Sequence, residues 1–76
     1  MTGPLNLSIA RILAGAADEL FVTQTELARR SGVSQSQISK LFSGERAMKV
    51  DQLEAICTAL GLSAAAVVAE AETPRP

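Results

Sequence analysis

Apolar residues recur at helical spacing along most of this chain. Ile9, Ile12, Leu13, Ala16 and Leu20 fall at i, i+3, i+4, i+7 and i+11, a single stripe that Leu5 extends by a turn. Phe21, Val22 and Thr23 are too few for a strand and predict a connection. A second helix begins near Gln24 or Thr25, where Thr23 and Glu26 have capping-box spacing, and stops at Gly32. Ser34 and Gln37 repeat that spacing at the head of a third helix, which runs to about Phe42 and stops before Gly44. After a polar loop over 45–49, Leu53, Ile56, Cys57 and Leu60 make the stripe of a fourth helix over 50–60, ended by Gly61. Ser63 caps a fifth, and Leu62 is placed to pack on Val67 as a hydrophobic staple. The pattern predicts an all-α, five-helix domain over residues 5–69. A non-helical segment over 1–4 precedes it, and a disordered tail over 70–76 follows it.

Composition narrows the choice of chemistry. One Cys and no His in 76 residues exclude an internal disulfide, a His-based zinc site and any His-dependent catalytic triad. No pair of acids is placed for acid–base work, so neither enzyme activity nor a metal or cofactor is expected. With two aromatics, Phe21 and Phe42, the core must be built from Leu, Ile, Val and Ala. No apolar run reaches the ~18 residues of a membrane span. Arg11 interrupts the early stretch over 5–17, which also lacks a basic leader. The expected setting is therefore the cytoplasm.

The net charge is −1, but its distribution is uneven. Residues 23–49 carry Arg29, Arg30, Lys40, Arg46 and Lys49 against Glu26 and Glu45, a balance of +3. The rest carries Arg11 and Arg75 against Asp18, Glu19, Asp51, Glu54, Glu70 and Glu72, a balance of −4. A basic middle with acidic ends can take an anion on one face and repel it elsewhere.

The segment over 24–43, QTELARRSGVSQSQISKLFS, is two helices joined by Ser31-Gly32-Val33, a helix-turn-helix arrangement. Such a crossing needs a small residue at Ala28 and a positive φ at Gly32. It also needs apolar anchors, here Leu27, Val33, Ile38 and Leu41, and all six positions are filled accordingly. With Gln35 at zero on a wheel of ~100° per residue, Ser39 falls near ~40°, Ser43 ~80°, Ser36 ~100° and Lys40 ~140°. On the same wheel Leu41 falls near ~240°, Ile38 near ~300° and Phe42 near ~340°. One face therefore carries hydroxyls, an amide and an ammonium, with no acid. It suits a major groove, where Gln pairs with adenine, Ser donates or accepts, and Lys reaches guanine or phosphate. A merely solvated helix surface is the other reading, and serines are poor helix formers for that purpose.

The run over 23–62, with TQTELARRSGVSQSQIS, the following SGER and then LEAICTALGL, resembles the Cro/C1-type (Xre-like) helix-turn-helix family of phage repressors and bacterial regulators. With the first helix the likeness spans roughly 5–69. It implies a compact lambda-repressor-like fold that binds double-stranded operator DNA, commonly as a homodimer. By position, Gln24 corresponds to a family glutamine that contacts phosphate and braces the recognition helix. Gln35 and Ser36 match the first base-reading positions, and Ser39 and Lys40 the next exposed ones. Gln37 lies nearer the groove wall and, with Ser43, Arg46 and Lys49, is assigned to phosphate. Met48 and Val50 stand where many members carry further basic or polar residues, which implies a weaker loop grip.

The resemblance implies a transcriptional regulator, read here as a phage- or prophage-type repressor. The alternatives are an antitoxin with a toxin partner, and a protein-interaction module on the same fold. A chain of this length leaves no room for a sensing domain, so control is expected from concentration, competition or a partner such as a toxin or anti-repressor. Helix 63–69 is more apolar than one buried stripe needs; it either forms a dimer contact or closes a small core. Cys57 is expected in the core. Arg29 and Arg30 are read as solvated or paired with Glu26, with phosphate contact the remaining option.

Overall fold

The computed structural model describes residues 3–73, and all regular structure among them is helical: α1 (Pro4–Glu19), α2 (Gln24–Ser31), α3 (Gln35–Phe42), α4 (Val50–Leu60) and α5 (Ala64–Glu72). Each start has a local cause. Pro4 opens α1 behind Gly3, since the first helical turn needs no N–H from it. The hydroxyls of Thr23, Ser34 and Ser63 accept the backbone N–H of Glu26 (3.1 Å), Gln37 (3.2 Å) and Ala66 (3.2 Å). At α4 the cap is inverted: the side-chain oxygen of Gln52 accepts the Lys49 N–H at 3.0 Å.

Both ends of the domain run further than the periodicity predicts. Pro4, expected in a non-helical opening, is the first residue of α1. Glu70, Ala71 and Glu72, expected in a disordered tail, complete α5 because Ala71 continues the stripe Ala64, Val67, Val68 and packs on the core. Of those two expected segments, Gly3 and Thr73 flank the helices as caps, and 1–2 and 74–76 lie outside the described residues.

The core is a single cluster in which Leu13, Leu27, Ile38, Leu41, Ile56 and Cys57 are fully buried. The stripe on α1 is rotated from its expected line. Ile9, Ala10, Leu13 and Ala17 are buried, Ile12 and Ala16 are half-buried, and Leu20 is exposed beyond the last helical residue. Cys57 is buried as expected, and burial pushes its thiol pKa upward. On α5, Val67 is buried and Ala64, Val68 and Ala71 are half-buried, while Ala65, Ala66 and Ala69 are exposed.

Two helix ends share one hydrogen-bond pattern but not one residue type. At the end of α4, Leu62 N–H reaches the Cys57 carbonyl at 2.8 Å, with Gly61 left-handed at φ 72°. At the end of α1, Val22 N–H reaches the Ala17 carbonyl at 2.9 Å and Phe21 N–H that of Asp18 at 3.1 Å. Phe21 takes the left-handed place there, at φ 57°. That position ordinarily favours glycine.

Candidate nucleic-acid interface

The two central helices meet as the sequence requires. Leu27, Val33, Ile38 and Leu41 are all buried, and the half-buried Ala28 lies at the crossing. Gly32 closes α2 at φ 77°, donating its N–H to the Ala28 carbonyl at 3.0 Å. Ser31 adds a brace that the sequence does not announce: its hydroxyl accepts the Val33 N–H across the turn at 3.1 Å. An unpaired turn N–H beside a buried Val is the signal that could have found it.

With Ile38 and Leu41 anchored inward, the opposite side of α3 faces solvent. Gln35, Ser36, Gln37 and Ser39 are exposed, and Lys40 is half-buried. No acid lies on α3, and this eight-residue helix is about 12 Å long, a length that fits within a major groove. Gln24 is the exposed first residue of α2, and Arg46 and Lys49 are exposed on the loop after α3. Among the described residues, Lys40, Arg46 and Lys49 form no ion pair. Lys49 also holds the N-cap of α4, where the helix dipole already presents positive charge. A cation there is unfavourable for the free helix and favourable when an anion is bound.

Ser43 is placed differently from the other assigned positions. Its hydroxyl lies 3.1 Å from the Lys40 carbonyl and 3.3 Å from Oε2 of Glu45. To donate to a phosphate it must release those acceptors, and Glu45 adds a like charge beside the anion.

Arg29 and Arg30 resolve to the paired reading. The Glu26 carboxylate takes Arg29 through both oxygens, with Nε at 3.1 Å, and Arg30 Nε at 2.7 Å. These two guanidinium groups hold the Glu26 carboxyl at about 2, well below the usual carboxylate range. The capping box expected at α2 is therefore half formed. Thr23 accepts the Glu26 N–H, while the carboxylate faces the arginines one turn on.

Residues 21–67 match the helix-turn-helix family, which covers more than half of the chain and includes every residue of the candidate interface. The chain belongs to the Cro/C1-type helix-turn-helix family. No curated protein sequence matches it significantly. Among solved structures it is similar to the clp gene regulator ClgR from Corynebacterium glutamicum, at 33% identity and a TM-score of 0.82, covering 92% of this chain and 91% of that one. A second crystal structure of ClgR from Corynebacterium glutamicum gives 34% identity and a TM-score of 0.81, covering 88% of this chain and 71% of that one. As a Cro/C1-type helix-turn-helix protein this chain is a DNA-binding transcriptional regulator, a class that is generally non-enzymatic. Among the described residues no group of His, Cys, Asp and Glu could hold a metal ion. Nor is any single helix there long and apolar enough to cross a membrane.

Proposed function

We propose that this protein is a sequence-specific repressor of the phage or prophage type, reading the major groove with α3. The observation that carries this reading is the exposed, acid-free face of a helix fixed by the turn at Gly32 and the anchors Ile38 and Leu41. Gln35, Ser36, Ser39 and Lys40 read base edges. Gln24, Gln37, Arg46 and Lys49 hold phosphates on either side of the groove and set the register. Ser43 joins them only when its hydroxyl turns away from Glu45. Its similarity to a protein named as a gene regulator supports this role. The protein works in the cytoplasm as a homodimer on a two-fold symmetric operator and acts by occupying it.

The deciding experiment is selection of binding sites from a random duplex library, followed by titration of Gln35→Ala on the selected site and on unrelated DNA. Gln35→Ala should weaken the selected site by about 1–3 kcal/mol and leave unrelated DNA nearly unchanged. Equal loss on both would remove Gln35 from base reading. Failure to enrich any site at low salt would remove sequence-specific DNA binding altogether.

A further inference from the structure

We propose that the second copy in that homodimer, on which this inference rests, packs through α1. The two α1 helices cross antiparallel about a two-fold axis at Gly15, pairing Arg11 of each copy with Glu19 of the other. Gly15 is the first observation. It is the twelfth of the sixteen residues of α1, inside the helix, where glycine weakens it, and nothing inside the domain calls for it. Its φ is not left-handed, it is exposed, and a Cβ built there meets no atom within 4 Å. A glycine that the fold does not require suits the close approach of another backbone.

The charges around it are self-complementary. Arg11 and Glu19 stand four residues before and four after Gly15, both exposed, and neither forms an ion pair among the described residues. The row Arg11–Gly15–Glu19 is an i±4 ridge, and two such ridges pack in the common helix-crossing class at about −50°. A two-fold contact places residue i on j and j on i. With antiparallel helices, Arg11 therefore meets the other copy's Glu19, twice. With parallel helices, arginine would face arginine and glutamate would face glutamate.

Five large hydrophobic residues are exposed among the described residues, and four of them sit at the two ends of α1: Leu5 and Leu7 at one, Leu20 and Phe21 (93% exposed) at the other. The ridge itself forms one wall of an open groove of about 750 Å³ between α1 and α5, with Ile12 and Val67 also lining it and Glu70 on the α5 side. The second copy's side chains can enter it, and Glu70 offers Arg11 a further acid.

The test is sedimentation of the full chain without DNA, comparing wild type, Arg11→Glu, Glu19→Arg, the double exchange and Gly15→Leu, each checked for helical content. Wild type should dimerise reversibly. Each single reversal should weaken the dimer about tenfold or more, because it sets like charges opposite one another. The double exchange should restore most of the loss. Gly15→Leu should abolish the dimer without lowering the melting temperature of the dilute protein, since the added side chain meets nothing within the domain. A wild type that stays monomeric at submillimolar concentration overturns the proposal. So do single reversals that behave as wild type, or a double exchange no better than either single. Titration with a duplex carrying one half-site separates this outcome from the DNA-binding reading. Arg11 and Glu19 lie off the reading helix, so both reversals should bind that half-site as wild type does. A wild type that dimerises as described yet binds no DNA would remove the function and leave the interface standing.

Discussion

Replacing Phe21 with glycine should stabilise the isolated domain. Phe21 holds the left-handed position that closes α1, at φ 57°, and 93% of its surface is exposed. A residue with a Cβ in this conformation costs about 1–2 kcal/mol, because the Cβ crowds the following carbonyl oxygen. Glycine removes that crowding but gains freedom in the unfolded chain, which takes back about 0.4–1 kcal/mol. The ring contributes little burial to lose, so the net gain is about 1 kcal/mol. For a domain of this size that raises Tm by about 4–8 °C. The assay is thermal unfolding by circular dichroism at low concentration, so that the monomer is measured. Two controls share the logic. Phe21→Ala keeps the Cβ and should leave Tm nearly unchanged. Gly61→Ala, at φ 72° in the matching position of α4 with nothing within 4 Å of its Cβ, should cost about 1 kcal/mol for conformational reasons alone. A fall in Tm for Phe21→Gly, or a clear loss for Phe21→Ala, would refute the reasoning, because the ring would then be packed in solution.

Two further substitutions separate stability from binding. Lys49→Ser gives α4 a capping hydroxyl opposite Gln52 and removes a cation from a helix N-terminus, so unfolding should become harder by about 0.5–1 kcal/mol. The same change should weaken binding to all DNA sequences alike and reduce the salt slope by about one, and loss on a single sequence would make Lys49 a base reader. Glu26 gives a pH test. Its folded pKa of about 2 lies below the ordinary 4.5, so its ion pairs contribute fully above that ordinary value. The contribution is lost as pH falls toward about 2. Thermal melts across that acid window should show a small loss in wild type that Glu26→Gln lacks, small because the pairs are exposed. Identical acid limbs would show that the arginines do not hold Glu26 in solution.

The sequence by itself determined the five helices, most of their caps and the exposed polar face of α3. These rest on local rules: the hydroxyls of Thr23, Ser34 and Ser63 satisfy N–H groups three residues on, and the wheel of α3 divides at Ile38 and Leu41 whatever surrounds it. The family likeness was legible for the same reason, since the turn at Gly32 and its flanking anchors lie within one short segment. What only the tertiary structure decided depends on where other helices lie. The stripe of α1 turned toward Ala10 and Ala17 and away from Leu20 because α3, α4 and α5 all pack on it. α5 ran on to Glu72 because Ala71 found the core. Periodicity says which residues share a face, but not which neighbour that face will meet. The strain at Phe21, the side-chain partners of Ser43, and the exposed Gly15 between Arg11 and Glu19 became visible only once the helices were assembled.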